Sequence, residues 1–353
     1  MRKAVKIGFI GVFCAVIGLA FPVFNIFSKQ LSMDSHENRL MTGLPQVLQS
    51  PLRELPRNLD NFLVDNSPFR YQFVLVNAGL DYALFGTSQS DQVLPGKDGW
   101  LFYKDGPNAA QPMANYQGLA ELNDSADTLA EASAGLQILS DKLAENGCTL
   151  VLDLTPSKDR IYREYMPDGY PIVNEENRTD LLAAYLQSHT TVPVVWRYDM
   201  LRSQARQNAD RLLYYKTDTH WNAVGALIGL DGIFEALDMP TRPADSYPVE
   251  AGGTTTGDMA NVAALSASLP AEETYVVPGY DRMFEKDSRT VRVIGDSFSE
   301  YYMPYLQARF TNSWREHIDT FTMDVAVHPG CDILILEFNE RSLDKLLAIL
   351  EQF

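Results

Sequence analysis

The sequence predicts an α/β fold, with a mostly parallel sheet and helices on both faces. Three observations carry this prediction. Four runs of strand length, TLVLDLTP (149–156), PVVWRY (193–198), TVRVIGDS (290–297) and DILILEF (332–338), are apolar with little alternation, the pattern of strands buried on both faces. Segments of helical length stand between them. Turn-forming Gly, Pro, Asn and Asp punctuate the junctions. With 353 residues, 46% of them hydrophobic and 11% aromatic, the chain can bury such a core, and global disorder is excluded.

Taken in order, residues 1–6 carry Arg2, Lys3 and Lys6 and no acid, and 7–27 form a charge-free run interrupted by Pro22 and Asn25. That run spans roughly 30 Å as a helix, the thickness of a bilayer's hydrocarbon core. The basic flank predicts a cytoplasmic N-terminus, an N-terminal transmembrane helix within 1–29 and an extracytoplasmic remainder. A cleaved signal peptide ending near Gly18-Leu19-Ala20 is the rival, but the apolar run continues past Ala20. Residues 30–60, polar with Pro45, Pro51 and Pro56, read as a stem or an N-terminal wrap.

Residues 61–353 read as one large domain. Residues 61–86 have apolar positions at helical spacing, and LPGKDGWLFY (94–103) joins turn signals to an aromatic strand. Residues 119–146 predict a long helix closed by Gly147. Helices are expected at 178–189 and 199–209, from an Asn222 cap to Leu237, from the GDS turn to about Phe310, and at 340–352. FTMDVAV (321–327) reads as an extra strand. Residues 240–285, rich in Pro, Gly, Ser and Thr, read as a long loop or lid. There is no internal repeat.

Net charge is −17, and with the three basic residues of 1–6 set aside the rest stands at −20. Such a surface repels polyanions and excludes nucleic-acid binding. The five histidines lack metal-ligand spacing, no C-x-x-C occurs, and GKDGW lacks the ending of a phosphate loop, so no metal or cofactor is expected. Cys148 and Cys331 each stand before a predicted strand. They form a disulfide if those strands are neighbours, or remain buried thiols.

Two features can carry chemistry. Ser297, in VIGDSF, stands where an apolar strand meets a helix, at the end of a parallel sheet where ligands bind. Free helix N-terminal amides there can stabilise an oxyanion; GDS is also an ordinary capping turn. Asp218-Thr219-His220-Trp221 supplies a base and, two residues before it, a carboxylate to fix its tautomer. D-x-H by itself recurs by chance, and a lone His is usually structural.

GDSF after a strand, with DTHW upstream, resembles the SGNH-hydrolase-like domain of the alginate O-acetyltransferase AlgX/AlgJ (DHHW) family. LPGKDGWLFY, LTPSKDRIYREYMP and LILEFNERSL resemble three further stretches of that family, in the expected order over about 60–350. The resemblance implies Ser297 as nucleophile, His220 as general base and Asp218 as its orienting carboxylate. The usual SGNH oxyanion Gly and Asn blocks are absent, which leaves Asn339 and the Ser297 amide as candidates. Gly257 and Asp258 are candidates to line the site, or belong to a plain Gly-rich loop. Lys158 and Arg341 are placed to bind an acyl or sugar oxygen, with an Arg341–Glu337 salt bridge as the alternative. Tyr162, Trp100 and Trp221 are placed to stack on a sugar ring, or to be core aromatics.

The function so implied is extracytoplasmic O-acetylation of an exported polysaccharide through an acyl-serine, at the cell membrane. Coenzyme A does not reach that compartment, so a membrane-embedded acyltransferase partner would deliver acetyl. An esterase using the same triad and a non-catalytic scaffold of an export complex are the rivals. The charge argues for a neutral or less acidic glycan rather than alginate.

Overall fold

The computed structural model describes residues 6–16, 18–19, 42–66, 70–106, 111–122, 125–208 and 211–353. Part of the 7–27 run and of the expected stem, residues 20–41, lies outside them. Residues 6–16 and 18–19 are helical, and among the described residues no helix is long and apolar enough to cross a membrane. The chain divides into two compact units, Met1–Gln89 with Asn261–Leu269, and Ser90–Ala260 with Pro270–Phe353. In the first lie helices α1 (Leu44–Leu48), α2 (Leu55–Asp65) and α3 (Arg70–Phe85). The segment read as helical from 61 thus holds the end of α2 and all of α3, with 67–69 outside the described residues.

The second unit is built on five parallel strands. In chain order its elements are β1 (Val93–Pro95), β2 (Leu101–Tyr103), α4 (Ser125–Glu145), β3 (Thr149–Thr155), α5 (Arg178–His189), β4 (Val194–Trp196), α6 (Tyr198–Gln207), α7 (Ala223–Ala236), β5 (Glu250–Thr255), β6 (Glu272–Val276), β7 (Asp287–Gly295), α8 (Phe298–Arg309), β8 (Phe310–His317), β9 (Ile333–Asn339) and α9 (Leu343–Leu350). The sheet order is β4-β3-β9-β7-β8, every pair parallel. β1–β2 and β5–β6 are separate antiparallel ribbons, the latter inside the 240–285 segment.

Central β9 is buried at every position, and its alternate residues feed two cores. Ile333 and Ile335 join Leu227, Ile233 and Phe234 of α7 and Tyr302 and Leu306 of α8 on one face. Leu334, Leu336 and Phe338 join Leu139 of α4, Leu186 of α5 and Leu346 of α9 on the other. Each such side chain contributes roughly 1.5–3 kcal/mol of burial, so a run without polar breaks is what a two-sided strand requires.

One strand is added and one expectation is corrected. Residues 310–317, beyond the helix expected to end near Phe310, form the edge strand β8. Only Phe310 is fully buried in it, so its polar FTNSWREH carries no apolar signature. FTMDVAV is not a strand: Asp324–Val327 is a helical turn, closed by the His328 ring bonded to the Asp324 carboxylate at 2.9 Å. The sheet edge beside β7 is already taken by β8.

A candidate serine-centred active site

The carboxyl ends of β3, β9 and β7 lie side by side, with Thr155 opposite Asn339 and Gly295 opposite Glu337. Gly295 is required there: a Cβ would stand 2.8 Å from the Glu337 Cβ and 2.9 Å from the Ser299 Oγ. Asp296 then accepts the Phe298 amide (3.0 Å) and the Asn339 amide (3.0 Å), and half-buried Ser297 caps α8. The amides of Ser299 and Glu300 are spent within the turn, which leaves the Ser297 amide as the donor at this helix end.

The 215–220 segment brings the other two groups. His220 Nε2 is 2.6 Å from Ser297 Oγ, and Nδ1 is 2.7 Å from Asp218 Oδ1. The same Oδ1 accepts the His220 amide at 3.0 Å, and Oδ2 accepts the Asp258 amide at 2.9 Å. Burial alone would raise the Asp218 carboxyl, but these hydrogen bonds outweigh it and hold the group at about 2. The His220 ring lies between Phe298, centroids 5.0 Å apart, and Tyr301, at 5.2 Å.

Gly257 and Asp258 form the support behind this loop. A Cβ on Gly257 would collide with the Thr217 carbonyl. Asp258 accepts the Thr219 amide at 2.7 Å and its hydroxyl at 2.5 Å. Glu272, at the start of β6, accepts the amides of Lys216 and Thr217. Asp218, His220 and Asp258 each place a donor atom within 4.8 Å of the others. The carboxylate oxygens are already engaged by protein hydrogen bonds, an arrangement that orients an imidazole rather than one that offers metal ligands.

Several sequence candidates have other occupations. Lys158 is buried, and its ammonium donates to the carbonyls of Tyr215 (3.1 Å), Lys216 (2.9 Å) and Asp218 (2.5 Å). No donor is left for a sugar or acyl oxygen. Burial lowers Lys158 to about 8 against the pull of Asp218 and Glu272. The rings of Trp100 and Phe102 cover it at 5.7 and 5.4 Å, so buried Trp100 is core too. Asn339 is fully buried and turned inward: its side-chain amide donates to the Thr155 carbonyl at 3.0 Å, and its carbonyl accepts Ser157 Oγ at 3.0 Å. Tyr162 is buried with its hydroxyl accepting the Leu213 amide, and Trp221 with its N–H donating to the Phe298 carbonyl at 2.9 Å. Neither ring can stack on a sugar.

Arg341 is the candidate that faces the site. Its guanidinium lies over the rings of Tyr103 (5.2 Å) and Phe298 (5.4 Å) and makes no ion pair among the described residues. The Glu337 alternative fails because that carboxyl is sealed in the sheet, where burial and the neighbouring Asp296 and Asp153 push it far up. Arg341 lines a small recess with Tyr103, Ser157, Lys158, Thr219 and Phe298. Sequence reading missed Arg315 of β8. It donates to the Asp296 carbonyl (2.7 Å) and to Ser299 Oγ (2.7 Å), clamping the nucleophile turn. No apolar signature marked its strand.

Replacing Lys158 by Met should test its anchoring role. Three buried carbonyls lose their donor, so the variant should be destabilised by about 3 kcal/mol in urea unfolding. A midpoint equal to wild type would mean that the ammonium does not hold the 215–218 segment.

Comparison with known proteins places these features among relatives. Residues 93–320 match the family described as "SGNH hydrolase-like domain, acetyltransferase AlgX". The probable alginate O-acetylase AlgJ of Pseudomonas putida is 25% identical over 228 residues, 62% of this chain and 53% of that protein. Its counterpart in Pseudomonas syringae is 26% identical over 239 residues, 67% of this chain and 54% of that one. The chain thus spans about half the length of the curated relatives it matches. Among solved structures, the O-acetyltransferase domain of Pseudomonas putida AlgJ aligns with a TM-score of 0.49 at 20% identity, covering 74% of this chain and 98% of that one.

Proposed function

The chain belongs to the family of the SGNH hydrolase-like domain of acetyltransferase AlgX, and from that premise we propose that it is a serine-dependent O-acetyltransferase acting on hydroxyls of an exported polysaccharide. One observation carries the reading: a continuous hydrogen-bonded series from Asp218 through His220 to Ser297, with 2.7 and 2.6 Å links. Asp218, ionised at neutral pH, holds the proton on His220 Nδ1 and leaves Nε2 free to accept. His220 takes the Ser297 hydroxyl proton as Oγ attacks the acetyl carbonyl, and returns it to the departing donor group. The acyl-serine then meets a sugar hydroxyl, which His220 deprotonates as it attacks, and that proton passes to Ser297 Oγ as its bond to the acetyl carbon breaks. The Ser297 amide, at the positive end of α8, faces the negative oxygen that develops in each step.

In this reading the basic flank and the 7–27 run hold the chain in the cell membrane as a single-pass anchor, with the domain on the extracytoplasmic side. A membrane-embedded acyltransferase is the partner that supplies acetyl. Relatives are named for alginate. The net charge of this chain, −17 overall, favours a neutral or less acidic glycan as acceptor.

The test uses the purified protein with an activated acetyl ester, with and without neutral and uronate oligosaccharides. Acetylated neutral oligosaccharide, identified by mass, is the expected product. Hydrolysis that no oligosaccharide diverts would make the protein an esterase and end the transferase reading.

A further inference from the structure

We propose that Cys148 and Cys331 form a disulfide that staples β3 to β9 at the end of the sheet opposite Ser297. The two strands are neighbours, paired from Thr149 with Ile333 to Thr155 with Asn339. Cys148 directly precedes the first of these residues, and Cys331 stands two before Ile333. The Thr149 amide donates to the Asp332 carbonyl at 2.9 Å, which ties the two entry segments together. The sulfur atoms are 3.6 Å apart, so a small side-chain adjustment brings them to bonding distance.

Cys148 is buried and Cys331 half-buried, so an external oxidant reaches Cys331 first. Before closure, the hydrogen bond between the two sulfurs lowers the Cys331 thiol and, with burial, raises that of Cys148, which suits the same order. The chemistry is thiol–disulfide exchange with a small or protein disulfide. The Cys331 thiolate, its proton released to solvent, attacks one sulfur of oxidised glutathione and expels one glutathione thiolate. The Cys148 sulfur, losing its own proton, then attacks Cys331 Sγ of the mixed disulfide and expels the second. Two cysteines are oxidised by two electrons while one oxidised glutathione becomes two reduced molecules.

Strands β3 and β9 end at Thr155 and Asn339, beside the segments that carry Lys158 and Arg341. The bond would lie about 20 Å from these, one strand length away. It closes a loop of more than half the chain, since its ends are 183 residues apart, and so constrains the unfolded chain strongly. The staple should therefore change stability and leave the acetyl-transfer chemistry untouched. That cells would form it rests on the extracytoplasmic reading above.

Two arms separate the bond from the compartment. In the first, the purified full chain is equilibrated with oxidised and reduced glutathione, denatured, alkylated and analysed by mass. Loss of two hydrogens, a linked Cys148–Cys331 peptide and an alkylated Cys14 are expected. The melting temperature should rise on oxidation by about 5 °C or more, and Cys331→Ser should show no such rise. Persistent glutathione adducts, or alkylation of both Cys148 and Cys331 at every ratio, would overturn the disulfide. In the second, the chain is recovered from cells under acid trapping. Free thiols in cells beside ready closure in glutathione would overturn the export reading and leave the bond standing.

Discussion

Replacing Ser297 by Ala should abolish acetyl transfer, with a fall in kcat of about 10³–10⁶-fold and no acetylated protein intermediate detectable by mass. The substitution removes the only hydroxyl among the described residues that hydrogen-bonds His220 Nε2, at 2.6 Å. Without it neither the first ester nor the acyl-enzyme can form. Water or a sugar hydroxyl would have to reach the donor directly, without the covalent step that divides the barrier. Folding should be nearly unaffected, because the residue is half-buried and its Oγ makes one hydrogen bond among the described residues, worth about 1 kcal/mol. A well-folded variant that acetylates at a wild-type rate would refute the serine mechanism.

Replacing Asp218 by Asn should cost almost as much, about 10³–10⁴-fold in kcat with little change in KM. The carboxylate accepts from His220 Nδ1, from the His220 amide and from the Asp258 amide. With its carbonyl kept toward the Asp258 amide, an Asn side chain turns its NH₂ to Nδ1. The ring must take the tautomer with the proton on Nε2, which points at Ser297 and cannot accept its proton. A second readout is acid stability. The folded Asp218 value of about 2 lies below the ordinary 3.8, so its contribution is whole above that value and is lost as pH falls through 3.8 toward 2. It amounts to about 2 kcal/mol, and the Asn variant should lack that part of the loss between pH 5 and 2. Denaturant midpoints at several pH values, with kcat at neutral pH, check both parts. A kcat loss under about tenfold would mean that Asp218 does not set the tautomer.

Much of this was legible before any coordinates. β3, β7 and β9 are apolar runs because a central parallel strand meets a core on each face, so their chemistry is visible without knowing their neighbours. β8 was not, since an edge strand with one buried residue has no pattern to read, and Arg315 was lost with it. Asp218, His220 and Ser297 stood out because an Asp two residues before a His, and a Ser at a strand end, are local arrangements. The remaining candidates show the limit of local reading. Lys158, Asn339 and Arg341 all stand at or just beyond strand ends, yet two of them turn inward to hold backbone and one faces the recess.

By itself, the sequence determined the α/β class, the central strands, the helix caps and the identity of three polar groups able to act together. Those follow from residue type, spacing and hydrophobic period, which act over a few residues. Only the tertiary structure decided that residues 77 positions apart meet at 2.6 Å, and which nitrogen of His220 faces which partner. It also decided that Tyr162, Trp100 and Trp221 belong to the core and that Cys148 lies beside Cys331. The reason is physical: whether a side chain meets ligand, backbone or another side chain depends on what packs against it from elsewhere in the chain, and no local pattern carries that.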